Sequence, residues 1–154
     1  MGLVDAAVQS VHVAMFKIDL VGVRGSGVVA QLLDGLRRAA GRGVETKVLM
    51  DCILPLRGRA ANNAGVGRWL QGKGIPVRYL SRNRCEHAKL VLVDEKHFVF
   101  GSHNWTTNSL TRNFEVSCYL TDSEIVEGIE KVFREQFDRA VDFVNLGTGE
   151  GKEG

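Results

Sequence analysis

Apolar positions along this 154-residue chain switch between two spacings, and the switches mark a string of alternating strands and helices. VDAAVQS closes a first helix, and VHVAMFKI (residues 11–18) is a strongly apolar strand. Val28, Val29, Leu32, Leu33, Leu36 and Ala40 then recur at helical spacing behind Ser26, a candidate cap, with Gly41 and Gly43 as stop signals. VETKVLMD is the next strand. Residues 52–63 read as a loop, followed by a helix over 63–73 that ends at Gly74 and by a short strand, IPVRYL. The runs 87–93 and 97–101 flank the polar stretch DEKH and predict a hairpin. After Lys89 apolar residues occupy both parities, so the first of these strands belongs inside a sheet. FEVSCYL (114–120) is a third strand beside them. A last helix opens in the capping-box pattern Thr121-Asp122-Ser123-Glu124 and carries Ile125, Ile129, Val132, Phe133, Phe137 and Val141. Strands alternating with helices around a central hairpin predict an α/β/α sandwich on a mixed sheet. Residues 1–146 form one domain, and 147–154 (GTGEGKEG) a disordered Gly-rich tail.

Composition narrows the class. Hydrophobic and charged fractions of 44% and 25% are those of an ordinary globular protein, and no run reaches the length of a membrane span. MGLVDAAVQS lacks the basic and apolar regions of a secretory signal, and Cys52, Cys85 and Cys118 suggest reduced thiols, so a cytoplasmic setting is expected. The net charge of +2 says little, but its distribution says more. Arg57, Arg59, Arg68, Lys73, Arg78, Arg82 and Arg84 lie between Asp51 and Glu86 with no acidic residue among them. From Asn113 onward four cationic residues face ten carboxylates, a net of −6. The basic segment leads into the 87–93 strand and would draw polyanions toward it.

The chemistry concentrates in His87-x-Lys89-x4-Asp94-x6-Gly101-Ser102-x-Asn104. Alternate side chains of a strand share a face, so His87 and Lys89 point at one place. The hairpin returns Ser102 and Asn104 beside them, with Gly101 allowing close backbone approach. An imidazole, an ammonium, a hydroxyl and a carboxamide together can attack a phosphate ester, bind its charge and hold its oxygens. Asp94 lies roughly 23 Å from His87 along an extended strand and at the opposite parity, which fits a structural role at the turn. Cys85, His87, His97 and His103 are close in sequence, but Lys89 would set a positive charge beside any cation, so no metal site is expected.

This string resembles the HKD motif of the phospholipase D superfamily, and in particular single-motif members such as the bacterial endonuclease Nuc and the Zucchini-type nucleases. The resemblance implies a metal-independent phosphodiesterase, without cofactor, in which His87 forms a phosphohistidine and Lys89, Ser102 and Asn104 bind the phosphate. It also implies that Glu115 hydrogen-bonds His87 and fixes its tautomer. The reaction in this family uses two histidines, and this chain has one motif. The expectation is a homodimer with both His87 residues facing across a two-fold axis. A nuclease cleaving DNA or RNA is the first reading, with Arg57, Arg59, Arg82, Arg84 and Trp105 as candidate nucleic-acid contacts and Trp69 as another candidate stacking residue. The alternative is a phospholipase D or phosphatidyltransferase domain. Family domains begin with a strand before the first helix, whereas this chain begins within that helix. Either the strand is dispensable, or the chain is part of a longer one such as half of a two-motif enzyme.

Overall fold

The computed structural model describes residues 2–23, 25–51, 59–80 and 85–142. The tail expected at 147–154 lies outside these residues, as do Arg57, Arg82 and Arg84. The element order is α1 (Gly2–Ala6), β1 (Ser10–Met15), a 3-10 turn (Leu20–Val23), α2 (Val28–Gly41), β2 (Glu45–Met50), α3 (Arg59–Gln71), β3 (Val77–Tyr79), β4 (Lys89–Val93), β5 (His97–Gly101), α4 (Thr107–Thr111), β6 (Ser117–Leu120) and α5 (Ser123–Arg139).

Six strands form one sheet in the order β3-β2-β1-β4-β5-β6. β1, β2 and β3 run parallel, and β4, β5 and β6 are each antiparallel to the preceding neighbour in that order. This is the expected mixed sheet between helical layers. β1 is buried along its whole length, so its two parities feed two cores. Val11, Val13 and Met15 join Val29, Leu33 and Leu36 of α2 and Ala64, Val66 and Leu70 of α3. Ala14, Leu49 and Leu92 join Phe98 and Val126, Phe133 and Phe137 of α5 on the opposite face. Complete burial of a large aliphatic side chain contributes about 1.5–3 kcal/mol, so these two layers dominate the folding energy.

Local departures from the expected pattern have physical causes. α2 is capped at Gly27, with no side-chain cap bond, and not at Ser26. α3 begins at Arg59, within the stretch read as a loop, and ends at Gln71. Its buried side includes Asn63, whose Oδ1 accepts from Ile18 N at 3.0 Å and whose Nδ2 donates to Asp51 O at 2.6 Å and Phe16 O at 2.9 Å. An Asn that reads as a loop signal is here a bolt between helix and sheet. α5 is capped by Asp122, which accepts from Ile125 N at 3.0 Å. Its inner face uses Val126, Glu130, Phe133 and Phe137, while Ile125 and Val132 are exposed. Glu130 is buried there because it meets the fully buried His12 at 2.6 Å (Nδ1 to Oε1) and Arg134 at 2.8 Å.

Candidate active site

The β4–β5 hairpin carries the motif, and its turn is built by Asp94 and Glu95. Both have positive φ, 55° and 54°, as a type I′ turn requires, and Lys96 N donates to Val93 O at 3.1 Å. The Asp94 carboxylate accepts from the backbone N–H groups of Val8, Gln9 and Ser10 at 3.1, 2.7 and 3.0 Å. Burial pushes its pKa up, but these three donors outweigh burial and the net shift is downward. They hold the three-residue link between α1 and β1 out of the helix, where VDAAVQS read as helix. The group is far from His87 and bonded to backbone.

At the other end of the hairpin, the strand was expected to begin at His87 but begins at Lys89. The reason is local. Ala88 O accepts from Phe16 N at 3.0 Å, but Ala88 N donates to the Glu86 carboxylate at 2.8 Å in place of a ladder partner. His87 therefore sits on a short extended lead-in, exposed, with its ring tilted over Phe16 at a centroid distance of 4.5 Å. The Lys89 ammonium lies 4.8 Å from the same Phe16 ring, donates to His87 O at 2.6 Å and comes within 3.5 Å of His87 Nδ1. Burial holds the Lys89 ammonium below the usual lysine range, against the opposing pull of Cys85, Glu86 and Glu115.

β5 brings the second half of the motif alongside. A Cβ on Gly101 would stand 2.3 Å from Val116 O and 2.5 Å from Ser117 Oγ, so only glycine admits β6 this closely. Ser102 pairs with Val116 both ways: Ser102 N donates to Val116 O at 3.0 Å, and its Oγ accepts from Val116 N at 3.1 Å. The Ser102 hydroxyl proton is turned to Glu115. Asn104 stands in the wall with a buried Oδ1 that has no hydrogen-bond partner among the described residues. His87, Lys89, Ser102 and Asn104 all line one cavity of about 540 Å³, with Phe16, Ala88, Leu90, Phe98 and Phe100.

Two expectations are corrected. Glu115 does not meet His87. It lies before β6, where its carboxylate accepts from Ser102 and from Asn113 Nδ2 at 3.1 Å, and those bonds lower its pKa. Trp105 is not a base-stacking residue, because it is 4% exposed and packed in the core, with its backbone bonded to Lys17 and Asp19. Of the basic segment, Arg59 opens α3, and Arg78 is folded over Phe137 and donates to its carbonyl at 2.9 Å. Lys73 and the half-buried Trp69 pair with one another, the ammonium 5.7 Å from the ring centroid.

Three residues at the site are absent from the motif: Phe16, Asp51 and Glu86. Asp51 and Glu86 are 1% and 6% exposed, and Asp51 Oδ1 accepts from Glu86 N at 3.2 Å. A signal existed for two of them. Phe16 and Asp51 directly follow parallel strands, at the carboxyl ends where α/β sheets place their ligand sites. Among the described residues no cluster of three or more His, Cys, Asp or Glu is arranged to hold a metal ion.

Residues 2–137 match the family model described as "Cardiolipin synthase, PLD-like domain". The chain belongs to this phospholipase D-like family. It is 35% identical over 98 residues to the mitochondrial cardiolipin hydrolase of Mus musculus, a match covering 64% of this chain and 40% of that protein. It is 29% identical over 143 residues to the human 5'-3' exonuclease PLD4, covering 86% of this chain and 27% of that protein. The chain thus spans well under half the length of these two curated relatives. Among solved structures it is similar to Nuc of Salmonella typhimurium, a phospholipase D family member, with a TM-score of 0.74 at 22% identity, covering 92% of this chain and 86% of that one. Among the described residues no helix is long and apolar enough to cross a membrane.

Proposed function

We propose that this chain is a metal-independent phosphodiesterase acting through a phosphohistidine at His87, a nuclease that cleaves DNA or RNA as a homodimer. The observation that carries the reading is the convergence of His87, Lys89, Ser102 and Asn104 on one cavity. In the reaction, the His87 ring nitrogen attacks phosphorus and the ester oxygen leaves, taking a proton from a second imidazole. That imidazole, now neutral, removes a proton from water, whose oxygen displaces His87. Lys89 and the Asn104 amide offset charge on the non-bridging oxygens. Ser102 joins them when its hydroxyl turns from Glu115 to the phosphate.

This domain carries one motif, and in this reading the second imidazole is His87 of a second copy. Phe114 and Val116, on either side of Glu115, are 95% and 58% exposed, an apolar surface beside the site that suits a covering subunit. The nuclease reading is supported by the similarity to an exonuclease over 86% of the chain and by the cationic run between Asp51 and Glu86. The stacked Phe98–Phe100 pair, with centroids 4.8 Å apart, offers a base a π-face. A phospholipid phosphodiester is the second reading. The apolar wall of Phe16, Leu90, Phe98 and Phe100 also suits an acyl chain, and a relative at 35% identity is a cardiolipin hydrolase.

The test is cleavage of single-stranded DNA, RNA, phosphatidylcholine and cardiolipin in EDTA, with His87→Ala as control and the solution mass measured in parallel. Nuclease turnover that survives EDTA, vanishes in the variant and tracks a dimer is expected. Turnover of lipid alone moves the assignment to the second reading, and full turnover by a monomer removes the shared site.

A further inference from the structure

Beside the candidate nucleophile lies a carboxyl group that the two-histidine chemistry does not use. Glu86 precedes His87, is 6% exposed, and is held from two sides. Its backbone N–H donates to Asp51 Oδ1 at 3.2 Å, which ties the lead-in to the end of β2. Its own Oε1 accepts the Ala88 N–H at 2.8 Å. Ala88 stands between His87 and Lys89, and its other backbone group is fixed by Phe16 N at 3.0 Å. Ala88, between the two candidate reacting side chains, is therefore clamped on its N–H by Glu86 and on its C=O by Phe16, just after β1.

A carboxylate was expected to orient His87 through the imidazole, and Glu115 is bonded elsewhere. We propose that Glu86, anchored by Asp51, is the positioning residue of this site: by accepting the Ala88 N–H it sets the backbone from which His87 and Lys89 project. This rests on the reading of those two side chains as the reacting groups. The action is geometric. A side chain with an acceptor at the same reach preserves it, charged or not, and one with its acceptor displaced by a methylene does not. Burial pushes the Glu86 carboxyl above the usual range, and Asp51 adds to that, against the Ala88 N–H and the Lys89 ammonium. A site tuned this way tolerates a neutral Glu86, which accepts the same bond.

Three variants separate geometry from charge: Glu86→Gln keeps reach and loses charge, Glu86→Asp keeps charge and loses reach, and Glu86→Ala loses both. With the full chain and whichever phosphodiester the wild type cleaves, kcat is expected to fall about 10–100-fold in the Asp and Ala variants with KM changed less than about threefold, as for a lost orientation. The Gln variant is expected to stay within about threefold of wild type. If the Ala variant fails to fold, the Gln and Asp pair decides alone. The reverse order, Asp active and Gln inactive, would assign the effect to charge and overturn the proposal, as would wild-type kcat in the Asp and Ala variants. Amide exchange at Ala88 gives a readout independent of turnover: protected in wild type and Gln, and exchanging at least tenfold faster in Asp. Unchanged protection in Asp overturns the proposal. A wild type inert on every phosphodiester, with Ala88 protection behaving as described, removes the nuclease and phospholipid readings but leaves the clamp standing.

Discussion

The two ends of the β4–β5 hairpin are built from the same kinds of side chain and use them in opposite ways. At the turn end, the Asp94 carboxylate takes three backbone N–H groups, the turn closes on itself through Lys96 N and Val93 O, and Asp94 N bonds Ser10 O at 2.9 Å. At the open end, His87 and Ser102 are exposed, Asn104 keeps a buried oxygen without a partner among the described residues, and Phe100 is 38% exposed. Polar groups at the first end satisfy the fold, and those at the second face a cavity. Asp94 is thus committed to backbone by three bonds, whereas the motif side chains at the open end line a cavity. Ser102 and Lys89 do hold partners there, Glu115 and the His87 carbonyl, and would exchange them for a ligand.

The sharpest way to break this comparison is at His87. His87→Ala should lower phosphodiester turnover by about 10³-fold or more while leaving the melting temperature within about 2 °C, because an exposed ring contributes chemistry and little packing. A large loss of stability would place the open end with the structural one. Lys89→Ala should cost about 10²–10³ in kcat/KM, as removal of one preorganised charge on a transition state does, read from the same assay. Gly101→Ala should destabilise by about 1–3 kcal/mol in urea unfolding, since a methyl group has no room against the Val116 carbonyl. Asp94→Ala should cost about 1–2 kcal/mol, from three unsatisfied N–H donors in a partly exposed setting, with turnover per folded molecule unchanged.

The smallest effect is a pH dependence at the turn end. The folded pKa of Asp94 is depressed, so its contribution is fully present above the unfolded value of about 3.9 and is lost as pH falls through the folded value. Unfolding free energies measured from pH 6 to pH 2 should therefore decline more steeply for the wild type than for Asp94→Asn. Asn tolerates the same positive φ but carries no charge to protonate. Parallel slopes would mean that the three backbone bonds do not hold the carboxylate in solution.

The order of strands and helices was legible from apolar spacing, because a strand or helix with one or two buried faces must repeat its apolar residues at that spacing. So was the return of Ser102 and Asn104 to the start of β4, since a hairpin of known length leaves little freedom. Asn63 shows where the reading stopped. Its two amide atoms bind backbone of three residues on two segments, those following β1 and β2, so its role in α3 depends on what stands opposite and not on its neighbours in sequence.

The chain alone determined the mixed α/β architecture, the hairpin and the spacing that brings an imidazole and an ammonium to the same edge. Tertiary structure decided the rest. It buried Trp105, gave Glu115 to Ser102, set Phe16 under His87 and Lys89, and placed Asp51 and Glu86 behind them. The division follows from range: periodicity is fixed by backbone geometry within one element, whereas these contacts join residues up to tens of positions apart. Only the packing of β1, β2 and the β5–β6 edge around the hairpin settles which of many polar partners each one meets.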